Sequence, residues 1–432
     1  MGLIVHIFGI EHPKDRMSAI ARWLATEAAD REAVKLGVAL LGYIGETEDM
    51  PLLFTLGRHE EFTLYAAVAL CKTSVSPERA LWELARHVHG WGRVNIIERL
   101  VDTQDDEIKS WMLCEGYRNN IMIEYTALPC AVGGGLLQAL QAPNPDEELL
   151  ACAGEILSAL ITGSPGPGMR AYDDGLAATV LYLTHLQARQ SELSYFLVVE
   201  QINRFLTDLE KEEQWDTSQW LEHRDALLAI IQAYKLRDEW MLVIQAGLAE
   251  QDRSHFLDAA RVAKTKGIDT WEHFYSRMSD GYDSYFMLKL LETCNPERID
   301  RALTLAERIL PLDELSTGPL PEVGFGNPAF SMHMGISTIL NRLEDFPGKG
   351  WRFLHAGLCS PMQRNRINSV RALAVWNRTE WPPEAEACVR AVLKIEPDEK
   401  LAGMLQHLLS GETVEPEEER QARLARRRRL SR

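Results

Sequence analysis

The sequence predicts an all-α fold: an α-solenoid of stacked antiparallel helix pairs with a longer-helix middle segment. Three observations carry that reading. Apolar helical runs recur at a fixed spacing, with Leu40, Leu70 and Leu100 thirty residues apart and Cys130 continuing the register. Strand-like alternation is nearly absent, and only Leu3 to Ile10 reads as a short extended start. The 432 residues are 46% hydrophobic and 25% charged, which supplies a large core and excludes global disorder and collagen-like structure.

Taken in order, the register passes through Gly37 to Leu41, Ala67 to Cys71, Ile97 to Val101 and Ala127 to Ala131. A second apolar helical pattern lies between successive members: Met50 to Leu56, Ala80 to Val88, and Ile108 to Cys114. Turn signals fall between them at Gly45-Glu46, Ser76-Pro77 and Thr103 to Asp105. Pro77 at a first helical position, after Ser76, is a sound helix start. A pair of short helices cannot bury its apolar face alone, so neighbouring pairs must stack. Residues 1–145 are read as one such array. The middle, 146–250, carries longer patterns: Asp146 to Ile161, Gly168 to Gln190, Glu192 to Glu213 and Thr217 to Leu236, with a firm break at Gly163 to Gly168.

Short patterns resume over 251–411, from Ser254 to Leu409, interrupted by a proline- and glycine-rich connection at 312–328. Long connections of that kind are often functional. Residues 412–432 form a charged, arginine-rich tail expected to project from the last helix.

These units resemble the HEAT-repeat (armadillo-like) superfamily, and their short period is most similar to the HEAT-like units of phycobilisome-lyase-type proteins. The best single match is Pro361 to Ala374, where Val370-Arg371 with Ala372 and Ala374 is similar to the V-R-x-x-A core of a HEAT first helix. The resemblance covers about 1–145 and 251–411. It implies stacked helix pairs and a curved surface, and is nearly empty for function.

Charge narrows the partners. The chain has 46 Lys and Arg against 63 Asp and Glu, a net charge of −17. The tail holds seven Arg and five Glu, so the 1–411 body stands at −19. Such a body repels nucleic acid, because phosphate contacts dominate that binding. Only weak contact through the tail is left open. The seven dispersed cysteines, with no C-x-x-C, argue for a reducing compartment. Met1 to Ile10 lacks a basic leader region, and no run of about 18 apolar residues appears. A cytoplasmic protein without a membrane partner is expected.

The densest polar and aromatic run is His87 to Arg93, continuing through Glu98, Trp111, Glu115, Arg118, Asn119, Glu124 and Tyr125. Adjacent repeats place equivalent positions side by side, so His89, Trp91, Arg93 and these residues form a candidate interaction groove. Three carboxylates in one cleft would split their pKa values. The plainer reading makes Glu98-Arg99 and Glu115-Arg118 ion pairs with the tryptophans packed between helices. His87 and His89 are two apart and match no metal motif. Arg364, Asn368 and Arg371, spaced four and three, share a helix face and form a second candidate surface, either for an anionic ligand or acidic partner, or for pairing between repeats.

The segment from His89 to Tyr125 also resembles an uncharacterised bacterial HEAT-like family, some members of which carry a limonene hydroxylase label. Hydroxylation needs haem, flavin or non-haem iron. No 2-His-1-carboxylate spacing, Rossmann fingerprint or haem-ligand cysteine is found, so no cofactor and no metal are expected. The leading expectation is a non-enzymatic scaffold that binds another protein. The alternative is an enzyme on the same scaffold, similar to DNA glycosylases or bilin lyases of HEAT-like form, or to the hydroxylase label.

Overall fold

The computed structural model describes residues 13–211, 215–279, 281–320 and 331–430, and every regular element among them is helical. Leu3 to Ile10 and the end of the 312–328 connection lie outside the described residues. The chain divides into two compact units, Met1–Thr265 and Lys266–Arg432.

The first unit contains α1 (Lys14–Glu27), α2 (Arg31–Ile44), α3 (Met50–Gly57), α4 (Thr63–Thr73), α5 (Pro77–Ala85), α6 (Gly90–Leu100), α7 (Asp106–Trp111), α8 (Glu124–Gly133) and α9 (Leu136–Leu140). Then come α10 (Glu147–Thr162), α11 (Gly175–Gln187), α12 (Leu193–Asp208), α13 (Ser218–Lys235), α14 (Trp240–Ala249) and α15 (Arg253–Thr265), of which α10, α12 and α13 have 16, 16 and 18 residues and the others no more than α1 or α2. The thirty-residue register lands on alternate helices. Leu40 of α2, Leu70 of α4, Leu100 of α6 and Cys130 of α8 are all buried. Those helices pack in sequence, α2 on α4, α4 on α6, α6 on α8, α8 on α10 and α10 on α12. The intervening α3 and α5 pack against their chain neighbours.

The second unit contains α16 (Trp271–Met278), α17 (Ser284–Leu290), α18 (Pro296–Ile309), α19 (Ser331–Leu343), α20 (Trp351–Leu358), α21 (Gln363–Val375), α22 (Ala385–Leu393), α23 (Glu399–Ser410) and α24 (Glu417–Leu430). Here α17 packs on α19, α19 on α21, and α21 on α23.

Sequence chemistry explains the helix ends. Asp30, Asp105, Asp146, Asp283, Asn295 and Asp398 each accept a hydrogen bond from a backbone N–H of the helix that follows. Each such cap contributes about 1 kcal/mol. Carboxyl-terminal ends are met by arginines from elsewhere in the same unit. Arg237 donates to the carbonyls of Leu186 (2.9 Å), Gln187 and Arg189 (both 2.7 Å) at the end of α11. Arg342 does the same to Leu291 at 3.1 Å, past the end of α17. These carbonyls have no partner within their own helix, so an arginine fork replaces water there.

The tail does not project. It forms α24, and its arginines lie against the turn after α19. Arg423 donates to Glu344 at 2.8 Å, Arg420 to Glu344 at 3.2 Å, and Arg427 to Asp345 at 2.6 Å. Glu344 is buried. A buried carboxylate needs paired cations, and Arg420 and Arg423, one helical turn apart, supply them. Among the described residues no helix is long and apolar enough to cross a membrane.

Candidate functional site

The run from His89 to Tyr125 spans α6, α7 and the start of α8. Gly90 opens α6 with φ of 65°, a left-handed conformation that favours glycine. Asn119 clamps it from both sides: the Gly90 N–H donates to Asn119 Oδ1 at 2.8 Å, and Asn119 Nδ2 donates to the Gly90 carbonyl at 3.3 Å. Gly92 lies directly on Thr63 of α4, where a Cβ would meet that side chain at 2.8 Å. The two glycines therefore let α6 begin close against α4.

Arg93 is buried beneath this start. Its Nε donates to the Val88 carbonyl at 2.8 Å, and its Nη1 to the carbonyls of Arg118 at 2.6 Å and Glu115 at 3.2 Å. Its guanidinium also faces the Trp111 ring at 5.7 Å. Burial, only partly countered by Glu115, holds its pKa below the ordinary arginine value. Its acceptors lie just past α7, which closes in a π-helical turn over Met112–Gly116. Such turns are rare and leave carbonyls to be satisfied by others. Arg93 and Asn119 thus hold the fold together rather than reaching into a groove.

The carboxylates are not gathered. Glu115 pairs with Arg118 at 2.9 Å. No hydrogen bond or ion pair joins Glu98 or Glu124 to the described residues, and none links the three acids. His87 sits 3.1 Å from Glu83, and His89 precedes α6 as an exposed residue.

A second cluster stands at the edge of this run. The Tyr117 hydroxyl donates to Glu155 at 2.6 Å, and Arg118 reaches Glu155 at 3.4 Å and the Cys152 sulfur at 4.0 Å. Burial and then the Glu155 contact push the Tyr117 phenol far up. A hydrogen bond from Cys114, helped by Arg118, holds the Cys152 thiol below its ordinary value despite burial. Cys152 is buried, which withholds it from nucleophilic work. Beside it lies a 510 Å³ cleft lined by Asp106, Lys109, Cys114, Gly135, Asp146 and Glu148 among others.

The exposed chemistry of the region is aromatic and aliphatic. Trp91 is 49% exposed and its ring meets Tyr125 at 4.8 Å, joining α6 to α8. The same helix layer continues with Leu64, Tyr65 and Val68 on α4 and Tyr43 on α2, all exposed. Lys72 of α4 covers the Tyr43 ring at 3.3 Å, and Lys35 of α2 reaches the Tyr65 ring at 5.8 Å. Exposed apolar and aromatic residues thus share the outer surface of α2, α4, α6 and α8 with charged ones such as Glu98 and Arg99, and Val132 at its end is 52% exposed. Lys72 and Arg99 stand there without a carboxylate partner among the described residues.

On α21, the three residues that share a face in sequence meet different surroundings. Arg364 is exposed, Asn368 is buried with its Nδ2 unpartnered, and Arg371 pairs with Glu415 at 2.7 Å. Arg366, one turn in, is the group the fold depends on. It is fully buried and grips Glu396 with two bonds of 2.8 Å. It also donates to the carbonyls of Pro361 at 2.9 Å and Ser360 at 3.0 Å.

No protein-family model matches this chain, and no curated protein matches it.

Proposed function

We propose that the chain is a HEAT-like α-solenoid that works as a non-enzymatic adaptor, docking another protein on the outer faces of α2, α4, α6 and α8. One observation carries the reading: Tyr43, Tyr65 and Trp91 are exposed on successive members of one helix layer, with Tyr125 of the next against Trp91, in a chain of net charge −17. Aromatic residues held on rigid helices are the usual anchors of protein interfaces. Lys72 and Arg99 on the same surface favour a partner segment that alternates apolar side chains with carboxylates.

Alternate-helix packing and the buried thirty-residue register support the solenoid. Nucleic acid suits this surface poorly. The body is acidic, and Arg420, Arg423 and Arg427 of the tail are already paired with Glu344 or Asp345. The cytoplasm fits the unpaired cysteines.

The test is a photo-crosslinking side chain placed at Trp91 in the intact cell. We expect a discrete protein adduct that is lost when Tyr65→Ser is added, with the thermal midpoint unchanged because both positions are exposed. Absence of any adduct, together with turnover of a small molecule by the purified chain, overturns the adaptor in favour of an enzyme.

A further inference from the structure

We propose that His355, Cys359 and Cys388 form a binding site for a thiophilic divalent cation, Zn²⁺ above others, with one coordination position left for an outside ligand. The three side chains come from two helices of the second unit. His355 lies in α20 and Cys359 follows its last residue, four positions on, so both face the same side. The Cys359 N–H donates to the His355 carbonyl at 3.0 Å, which fixes that spacing. Cys388 comes from α22, which packs on α20. One ligand atom from each residue lies within 4.8 Å of the others.

That spacing suits a tetrahedral metal. Zinc–sulfur bonds of about 2.3 Å and zinc–nitrogen bonds of about 2.0 Å place ligands slightly closer than this, within reach of a rotamer adjustment. Two thiolates and a neutral imidazole carry two negative charges, which Zn²⁺ neutralises. Soft sulfur ligands select against magnesium, calcium and manganese. No hydrogen bond to the described residues occupies either ring nitrogen of His355. The two thiols share a hydrogen bond, which shows that they already meet side by side. Binding releases the thiol protons to solvent, so affinity rises with pH.

Three protein ligands rather than four mark an open site. His355 is exposed while both cysteines are half-buried, so the free vertex faces outward on the histidine side. Water, or a side chain of a docked protein, completes it.

Cobalt(II) titration of the full-length, chelator-treated and reduced protein tests this. We expect saturable binding with the sulfur-to-cobalt charge-transfer absorption and d–d bands of tetrahedral Co²⁺, reversed by Zn²⁺. Cys359→Ser and Cys388→Ser should each abolish the charge-transfer signal. His355→Ala, at an exposed position, should weaken binding at least about tenfold without unfolding. Cys294→Ser, an exposed cysteine elsewhere, should change nothing. A charge-transfer signal that survives both cysteine substitutions overturns the site. So does its absence while both thiols still react with a thiol reagent, or their closure into a disulfide that resists cobalt under reducing buffer.

Discussion

Arg93 in the first unit and Arg366 in the second begin from the same local device. Each is buried near the start of a helix, and each reaches back five residues to a carbonyl of the preceding turn, Val88 or Pro361. From there they diverge. Arg93 finds only dipoles, the carbonyls of Glu115 and Arg118 beyond a π-helical turn. Arg366 finds a carboxylate as buried as itself, and Glu396 in turn accepts the N–H of Asp398, which caps α23. One arginine closes a frayed helix end, and the other ties one helix pair to the entry of the next. The partner set, not the residue type, decides how much each holds.

The largest loss is expected at Arg366. Removing it as Arg366→Ala leaves the Glu396 carboxylate buried and unpaired, and should cost about 3–5 kcal/mol of stability. Glu396→Gln should approach the same loss. The double substitution Arg366→Met with Glu396→Leu should recover most of it, because an apolar pair of similar volume leaves no stranded charge. Urea denaturation of these variants beside the parent protein measures the three losses directly. A double variant as unstable as Arg366→Ala would place the loss in the carbonyls of Ser360 and Pro361 instead.

Arg93 should be the weaker of the two. Arg93→Met strands carbonyls rather than a charge, for about 1–3 kcal/mol. Arg93→Lys should recover only part, since one ammonium cannot span Val88, Glu115 and Arg118 as a planar fork does. Amide exchange should accelerate over 112–118 and leave α4 unchanged. Acceleration spread through the whole first unit would mean that Arg93, like Arg366, binds one element to the next.

How much of this could be read beforehand follows from what each residue answers to. The thirty-residue register was legible because Leu40, Leu70 and Leu100 answer to burial, and burial leaves an apolar signature. The roles of Arg93 and Arg366 were not: the partners of Arg93 are backbone carbonyls, which every residue carries, and the carboxylate of Arg366 lies thirty residues on, at Glu396. Arg364, Asn368 and Arg371 look alike on a helical wheel, yet one is exposed, one buried and one paired. Their neighbours come from distant segments, Glu415 among them. The exposed aromatic residues were half legible: Trp91 and Tyr125 stood out in a dense motif, whereas nothing in the pattern around Tyr43 and Tyr65 singled them out. Of the metal ligands, His355 and Cys359 show their four-residue spacing in the sequence. Cys388 joins them only through the packing of α22 on α20.

The smallest effect is expected at Glu344. It is buried, but the arginines that meet it, Arg420 and Arg423, keep about a quarter to a third of their side chains in water. Burial raises the Glu344 pKa, and Arg423, Arg420 and Arg427 together more than reverse that, so the folded value lies below the ordinary 4.5. A depressed carboxylate stabilises the fold fully above its unfolded pKa and loses that contribution as pH falls through the folded one. Glu344→Gln should therefore cost about 1 kcal/mol at neutral pH, discounted for solvent screening of the arginines. The gap from the parent protein should stay constant down to about pH 4.5 and close below it. Urea midpoints across that range read it directly. Salt separates the cases further: 1 M sodium chloride should shrink the Glu344 gap and leave the fully buried Arg366–Glu396 gap nearly unchanged. A Glu344 gap indifferent to both pH and salt would mean that α24 is held by packing, and that its arginines are free to bind elsewhere.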